Sequence, residues 1–554
     1  MDSQSTPPAS YSRFACIGAG FSGIGLGATL KRWYGITDIQ IFERHGQLGG
    51  TWYINQYPGC ACDIASVLYS FSFEPNPDWT RILPSQAELQ AYLVRVADKY
   101  DLTSKTKFGV NVEACEWIEE RSVWRLRVRR YSTNETFYHE SQFLFAGSGQ
   151  LVTPREIDIP GADTFQGPIF HSARWRKDVD LTNKNVVVFG NGCTAAQIVP
   201  NIVKKTKSTT QIVRAKHWIF PPIDMSIPVW VRLILRWVPG ALRMFRFMIF
   251  LLAERTLRGL PMTDAGARFR EQKRLRSERY MRKTAPKKYH DILIPDFEVG
   301  CKRRIFDSGY LKSLHEEKLT LTDSPALEIV QEGVRTKDGL IPADVIVLAN
   351  GFVTNHCLDQ IEIKGRGGKT VAQHWQETGG ATAYNSTVLS GFPNFFMLLG
   401  PNAATGHTSA LMASENSINF ALRVIKPILD GKASVVELKP HAEQEYTDRI
   451  QSALNKTVFN SGCTSWYVEK NETGKNWNGM SYPWSQSYFW FRSFFPVWSD
   501  WRYYGHARKQ KTSKARIIPV IGVLSMAVGW AWYQNVGWKV AMTTLQDMRL
   551  KRLI

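Results

Sequence analysis

Acid is the scarcer charge in this chain. Against 69 Lys and Arg stand 49 Asp and Glu, a net charge of +20, which favours an anionic partner such as a nucleotide phosphate or an acidic membrane surface. No recognisable nucleic-acid module accompanies that charge, so DNA and RNA are not read as partners. The N-terminus, Met1 to Ser10, lacks the apolar run of a signal peptide. Cysteine is sparse, eight residues dispersed over 554, which excludes a disulfide-dense scaffold and points to a reducing, cytosol-facing protein without structural disulfides. No set of metal ligands is assigned.

What is present is organised around Phe14 to Glu43. Apolar Phe14-Ala15-Cys16-Ile17 enters Gly18-Ala19-Gly20-Phe21-Ser22-Gly23, a helix follows from Ile24 to Trp33, and a second strand, Asp38 to Phe42, ends on Glu43. This is the dinucleotide fingerprint: Gly18 for the tight turn, Gly20 for close approach to a pyrophosphate, Gly23 for helix–sheet packing, and Glu43 to accept from ribose hydroxyls. A carboxylate there repels a 2′-phosphate, so the site suits FAD or NAD. Asn185 to Phe189 enters a second such turn, Gly190-Asn191-Gly192-Cys193-Thr194-Ala195, and the next strand, Thr210 to Val213, ends at Arg214 with Lys216 behind it. Cations at that strand end accommodate the 2′-phosphate of NADP. Two units of opposite strand-end charge imply a flavoprotein fed by NADPH.

Other segments are read more coarsely. Ser85 to Tyr100 is an amphipathic helix opened by a capping box with Glu88. Val123 to Val128 and Glu135 to Phe145 are paired strands. In the apolar, proline-broken stretch Trp218 to Leu260, Arg232, Arg236, Arg243 and Arg246 share one helical arc. That stripe suits either a membrane surface or an insertion packed on the domain with its arginines in water. Basic Arg508 to Arg516 precedes uncharged Ile517 to Trp538, long enough to span a membrane; a buried terminal helix is the other reading.

Between the two nucleotide turns, Phe165-Gln166-Gly167-Pro168-Ile169-Phe170-His171-Ser172-Ala173-Arg174-Trp175 matches FxGxxxHxxxW, and Gly49-Gly50-Thr51-Trp52 with Tyr57-Pro58-Gly59 and Asp63 matches a second signature. On these motifs the chain resembles class B flavin-dependent monooxygenases of the Baeyer–Villiger branch, most similar to those of filamentous-fungal secondary metabolism. Two departures stand out. Arg176 follows the tryptophan where the family has Pro or Asp, and Gly59-Cys60-Ala61-Cys62-Asp63 replaces Gly-Ala-Arg-Cys-Asp.

The elements taken together give an α/β fold of two Rossmann-like domains, the NADP domain inserted in the FAD domain, with a helical insertion and a C-terminal hydrophobic helix; the resemblance covers about residues 14–410 of it. The expected division is a disordered 1–12, FAD domain 13–155 and 341–505, NADP domain 156–216 and 300–340, helical insertion 217–299, and tail 506–554. The resemblance implies Arg303 as the active-site arginine, Asp63 held against it, and His171 as a linker residue coupling domain movement to the nicotinamide. Thr51, Trp52, Asp63, Tyr69 and Val112 are carried over as FAD contacts beside Gly18, Gly20, Gly23 and Glu43, and Gly190, Gly192, Thr194, Arg214 and Lys216 as NADP contacts. The implied reaction takes NADPH, O₂ and a hydrophobic ketone or aldehyde through a C4a-peroxyflavin to an ester or lactone. The rival readings are an N- or S-hydroxylating flavin monooxygenase, a disulfide reductase using Cys60 and Cys62, and a non-catalytic membrane-tethered nucleotide-binding protein. The expected location is membrane-associated with the catalytic body facing the cytosol, the endoplasmic reticulum being one such membrane, or else soluble in the cytoplasm.

Overall fold

The computed structural model describes residues 10–354, 358, 360–463, 465–471 and 474–505. The expected spanning helix at 517–538, its basic flank and residues 1–9 lie outside them. Among the described residues no helix is long and apolar enough to cross a membrane.

Strand β1, Ser10–Ile17, runs through a glycine turn into helix α1, Phe21–Tyr34, and returns as β2, Ile39–Phe42. β1 is parallel to β2 on one side and to Thr136–Ala146 on the other. Thr136–Ala146 also pairs antiparallel with Val123–Arg130, which pairs with Val110–Ile118. Phe395–Met397 adds in parallel against Leu144 to Ala146, returning the chain to this first sheet. Phe14, Phe143 and Phe145, each shielded from solvent, stack beneath α1.

A second, five-stranded sheet is parallel throughout, in the order Leu319–Thr322, Ser208–Ile212, Asn185–Phe189, Val345–Leu348, Ile169–His171. Continuous apolar runs such as Val186 to Phe189 and Val345 to Leu348 suit strands covered on both faces.

Several expectations need correcting. β1 begins at Ser10, not after residue 12, because Ser10 Oγ and Ser12 Oγ hydrogen-bond the two ring nitrogens of His139 at 2.8 and 2.9 Å and extend the pairing. Val345–Leu348 pairs with Asn185–Phe189 and so lies in the second sheet, whereas 341 was expected to begin the return to the first. The helix Gln86–Lys99 is capped by Ser85 Oγ, but Glu88 accepts from Thr80 N instead of closing the box. Cys301 and Cys463 form a disulfide across 162 residues, Cα–Cα 6.3 Å, contrary to the expectation of none. That pairing is long-range and leaves no local trace in the sequence.

The 218–260 stretch is not one helix. Val229–Trp237 and Ala241–Glu254 form a hairpin broken at Gly240, φ 82°. Its arginines do not form one solvated stripe: Arg246 Nη1 donates to Val67 O and Ser70 O at 2.5 and 2.9 Å and Arg236 pairs with Asp78 at the surface, while Arg243 is exposed.

The His139 site gives a pH prediction. Burial, with Lys107 nearby, pushes the imidazole down to about 4, and His217, buried beside Lys302, is likewise pushed to about 4. An unfolded histidine takes up its proton near pH 6.5 while these remain neutral in the fold. Stability therefore falls with pH between about 6.5 and 4, by about 1.4 kcal/mol per pH unit for each group. His139→Gln is expected to flatten the decline of Tm with acidification; an unchanged slope would show that His139 does not carry it.

Candidate active site

The first glycine turn is held by backbone contact. Gly18 sits at φ 97°, a Cβ there would lie 2.5 Å from Gly147 O, and a Cβ on Gly23 would lie 2.1 Å from Gly18 O. Gly20 differs, since a Cβ on it would meet nothing nearer than Gly50 Cα at 3.5 Å. It caps α1 without a side chain, so no side chain occupies the helix's N-terminal amides, as an anion site requires. Glu43 is buried and accepts from Ala19 N at 2.8 Å and His45 N at 2.9 Å, so its carboxylate lies against the turn. Val110 N donates to Glu43 O, which brings the strand carrying Val112 alongside. These features fit FAD's pyrophosphate and ribose: an open cradle, free amides and a fixed carboxylate.

The Gly49 to Trp52 segment closes over that turn, with Gly49 N donating to Ala19 O at 3.0 Å. Thr51 opens a short helix, and Trp52 Nε1 donates to Tyr69 OH at 3.3 Å with the rings edge to face. Further along, Gly59 lies against the second unit's first helix, Cys193–Ile202; a Cβ there would clash with Asn201 Nδ2 and Gln197 O. Tyr57 OH donates to Gln197 Oε1 at 2.9 Å, and Gln197 Nε2 donates to Ala61 O at 3.0 Å. The loop that departs from the family pattern is therefore the one that packs the first unit's motif segment against the second unit's helix.

Asp63 ends that loop. Arg303 Nε donates to Asp63 Oδ2 at 2.8 Å and Nη2 to Oδ1 at 2.7 Å, a fork-on-fork pair in which each side chain keeps 28% of its exposure. Burial alone would push the Asp63 carboxyl up, but the charge and hydrogen bonds of Arg303 outweigh it and hold the group below the usual carboxylate range. Asp63 in turn holds Arg303 well above its ordinary value. The pair is ionised at any working pH.

Residues the sequence reading missed surround it. Tyr467 is buried, and the nearby charge of Arg303 acts on its phenol against the upward push of burial. It arrives on the segment that the Cys301–Cys463 disulfide ties two residues from Arg303. Arg304 is only partly open, and its guanidinium is pushed down by burial and by Arg303. Burial pushes the thiols of Cys60 and Cys193 up to about 12. Cys60 and Cys62 are free thiols, and thiols so hard to ionise are poor redox nucleophiles.

In the second unit Gly190, φ 117°, turns against Ala349 O, and Gly192 caps the helix Cys193–Ile202, which carries Thr194; a Cβ on Gly192 would meet nothing within 4 Å. Arg214 is exposed and Lys216 half-buried past the adjoining strand. Burial, with the charge of Arg214 added, pushes the Lys302 ammonium down; motif reading did not single out Lys302. An open helix terminus with clustered cations fits NADP.

His171 lies in Ile169–His171, with Nε2 donating to Gly351 O at 3.0 Å and Nδ1 accepting from Ala173 N at 3.1 Å. Burial holds its pKa below the ordinary value. A neutral ring fixed on both nitrogens, between an edge strand and the backbone at Gly351, suits a hinge and not an acid.

Comparison with known proteins agrees with this geometry. Two family profiles match: an NAD(P)-binding Rossmann-like domain over residues 16–84, and L-lysine 6-monooxygenase/L-ornithine 5-monooxygenase over 67–227. A Baeyer–Villiger monooxygenase of Streptomyces coelicolor is 34% identical over 85% of this chain and 89% of its own. The chain belongs to the Baeyer–Villiger monooxygenase family. FAD-binding monooxygenase ktnD of Aspergillus niger is 32% identical over 83% of this chain and 77% of its own. Among solved structures, NADP⁺-bound cyclohexanone monooxygenase from Rhodococcus sp. Phi1 superposes with TM-score 0.78 at 25% identity, over 90% of this chain and all of the other. OTEMO in complex with FAD and NADP gives 0.79 at 23%, over 89% of this chain and all of the other, a likeness of fold. The two-sheet α/β architecture is thus the family's.

Proposed function

We propose that this chain is an FAD- and NADPH-dependent monooxygenase that inserts one atom of O₂ into a hydrophobic ketone or aldehyde, giving an ester or lactone. The observation that carries the reading is the Asp63–Arg303 pair, set where the loop from the first nucleotide turn meets the helix of the second. When bound, FAD accepts a hydride from NADPH and activates O₂. Everything else falls to the chain's own groups.

Gly18, Gly20 and Gly23 with the start of α1 hold the FAD pyrophosphate, Glu43 the ribose, and Thr51, Trp52, Tyr69 and Val112 line the same site. Gly190, Gly192 and Thr194 hold the NADPH pyrophosphate, and Arg214 and Lys216 its 2′-phosphate. Arg303 stabilises the oxyanion that forms at the attacked carbonyl, where a fixed cation in a water-poor site is worth most. Asp63 orients the guanidinium, and His171 links domain position to the nicotinamide. FAD-domain segments 13–155 and 341–505, the NADP-domain segments and the 217–299 insertion remain the functional division, with Val345–Leu348 counted in the NADP sheet. Membrane association of a cytosol-facing body and a role in secondary metabolism belong to the same reading. The uncharged 517–538 run and relatives from two Aspergillus species support them.

A second reading, N-hydroxylation, is favoured by the lysine/ornithine monooxygenase profile. That match ends at residue 227, short of Arg303, and the chemistry has no need of an arginine paired with Asp63.

The nucleotide assignment is tested by Arg214→Ala. Removing a charged contact to the 2′-phosphate, worth about 1.5–3 kcal/mol, is expected to raise the KM for NADPH by roughly tenfold to a hundredfold and leave that for NADH unchanged. Equal rises for both would move the phosphate contact elsewhere.

A further inference from the structure

Neither helix of the 229–254 hairpin contains a buried residue. Trp230, Leu233, Ile234 and Trp237 recur at i, i+3, i+4 and i+7 and are exposed, Trp237 at 73%; Met244, Phe247, Met248, Leu251 and Leu252 repeat the spacing and are exposed too. This is an amphipathic pattern turned inside out. Its polar side faces the body: Arg236 on Asp78, Arg246 on the carbonyls of Val67 and Ser70, Glu254 on His407, Gln486 N and Ser487. Nine large apolar side chains exposed along one pair of helices mark an interaction site.

Charge narrows the partner. Across residues 225–262 Glu254 is the lone acid, and it is turned inward. Arg243, Arg255 and Arg258 are exposed at the rim. Apolar side chains with two tryptophans, ringed by cations and free of outward acid, match the headgroup region of an anionic bilayer.

We propose that the outward face of the 229–254 hairpin docks on an anionic lipid surface, inserting Trp230, Trp237, Met248 and Leu252 among the acyl chains while Arg243, Arg255 and Arg258 meet lipid phosphates. The docking is monotopic and independent of residues 506–554. The hairpin rests on Val67 to Ser70, the segment that carries Tyr69, so the site lies beside the docked face.

The test places an environment-sensitive NBD dye on Met248→Cys in the full chain, with the same dye on exposed Glu120→Cys as reference. Phosphatidylcholine vesicles containing phosphatidylserine are then added. The expected result is a blue shift and severalfold rise in emission at 248 and no change at 120. Trp230→Ser with Trp237→Ser is expected to abolish the shift while leaving FAD content and NADPH oxidation intact. Aqueous emission at 248 in protein that still floats with vesicles would overturn the proposal in favour of the tail. Blue emission before vesicles are added would overturn it in favour of a second copy or another segment covering the face. An equal shift in pure phosphatidylcholine would overturn its anionic part.

Discussion

Arg303→Ala is expected to lower oxygenated product by about 10²–10³-fold, the range seen when a positioned oxyanion donor is removed, while NADPH is still consumed and its reducing equivalents appear as hydrogen peroxide. The uncoupling matters as much as the loss. Arg303 is forked onto Asp63, whereas the glycine turns and Arg214 make no contact with it, so nucleotide binding and hydride transfer should persist. Arg303→Lys should not restore the product, because one ammonium cannot make the fork that engages both Asp63 oxygens. Product analysis beside a peroxide assay decides it: retained product in Arg303→Ala would remove the arginine from the chemistry.

The second large effect separates two kinds of glycine. Gly20→Ala leaves the turn unstrained, since its Cβ would meet nothing closer than 3.5 Å, yet it adds a methyl at the cap of α1, where the pyrophosphate is proposed to approach the backbone closely. Protein of unchanged Tm in the FAD-free state, with FAD affinity reduced by at least about tenfold, equivalent to about 1.4 kcal/mol, is the expected result. Gly23→Ala puts a Cβ 2.1 Å from Gly18 O and should lose the fold itself, by more than the roughly 1–3 kcal/mol of ordinary overpacking because the clash is with backbone. Calorimetry and flavin content on both variants check the distinction. Full FAD binding by Gly20→Ala would place the pyrophosphate elsewhere.

Legibility in the sequence followed contact range. The first unit was readable because its glycines, helix and acid act within thirty residues, and the β1–α1–β2 bounds lie close to those read from Phe14 to Glu43. Membership of Val345–Leu348 in the second sheet was not, since a short apolar strand carries no mark of the sheet it joins. Asp63 and Arg303 were singled out by resemblance alone; nothing local distinguishes Arg303 from Lys302 or Arg304. Tyr467 and the Cys301–Cys463 disulfide depend on a segment more than 160 residues away and left no periodic signal. The inward turn of Arg246 was not legible, because helical periodicity shows that arginines share an arc, not which way each one points. The acceptors that turn Arg246 inward belong to Val67 and Ser70.

The most direct test of the central claim supplies ¹⁸O₂, NADPH and a panel of hydrophobic ketones to the flavin-loaded full chain and follows product mass against NADPH consumed. The account predicts an ester or lactone carrying one labelled oxygen per NADPH oxidised. NADPH oxidation yielding only labelled peroxide from every ketone, while an amine or sulfide is oxygenated, would contradict it.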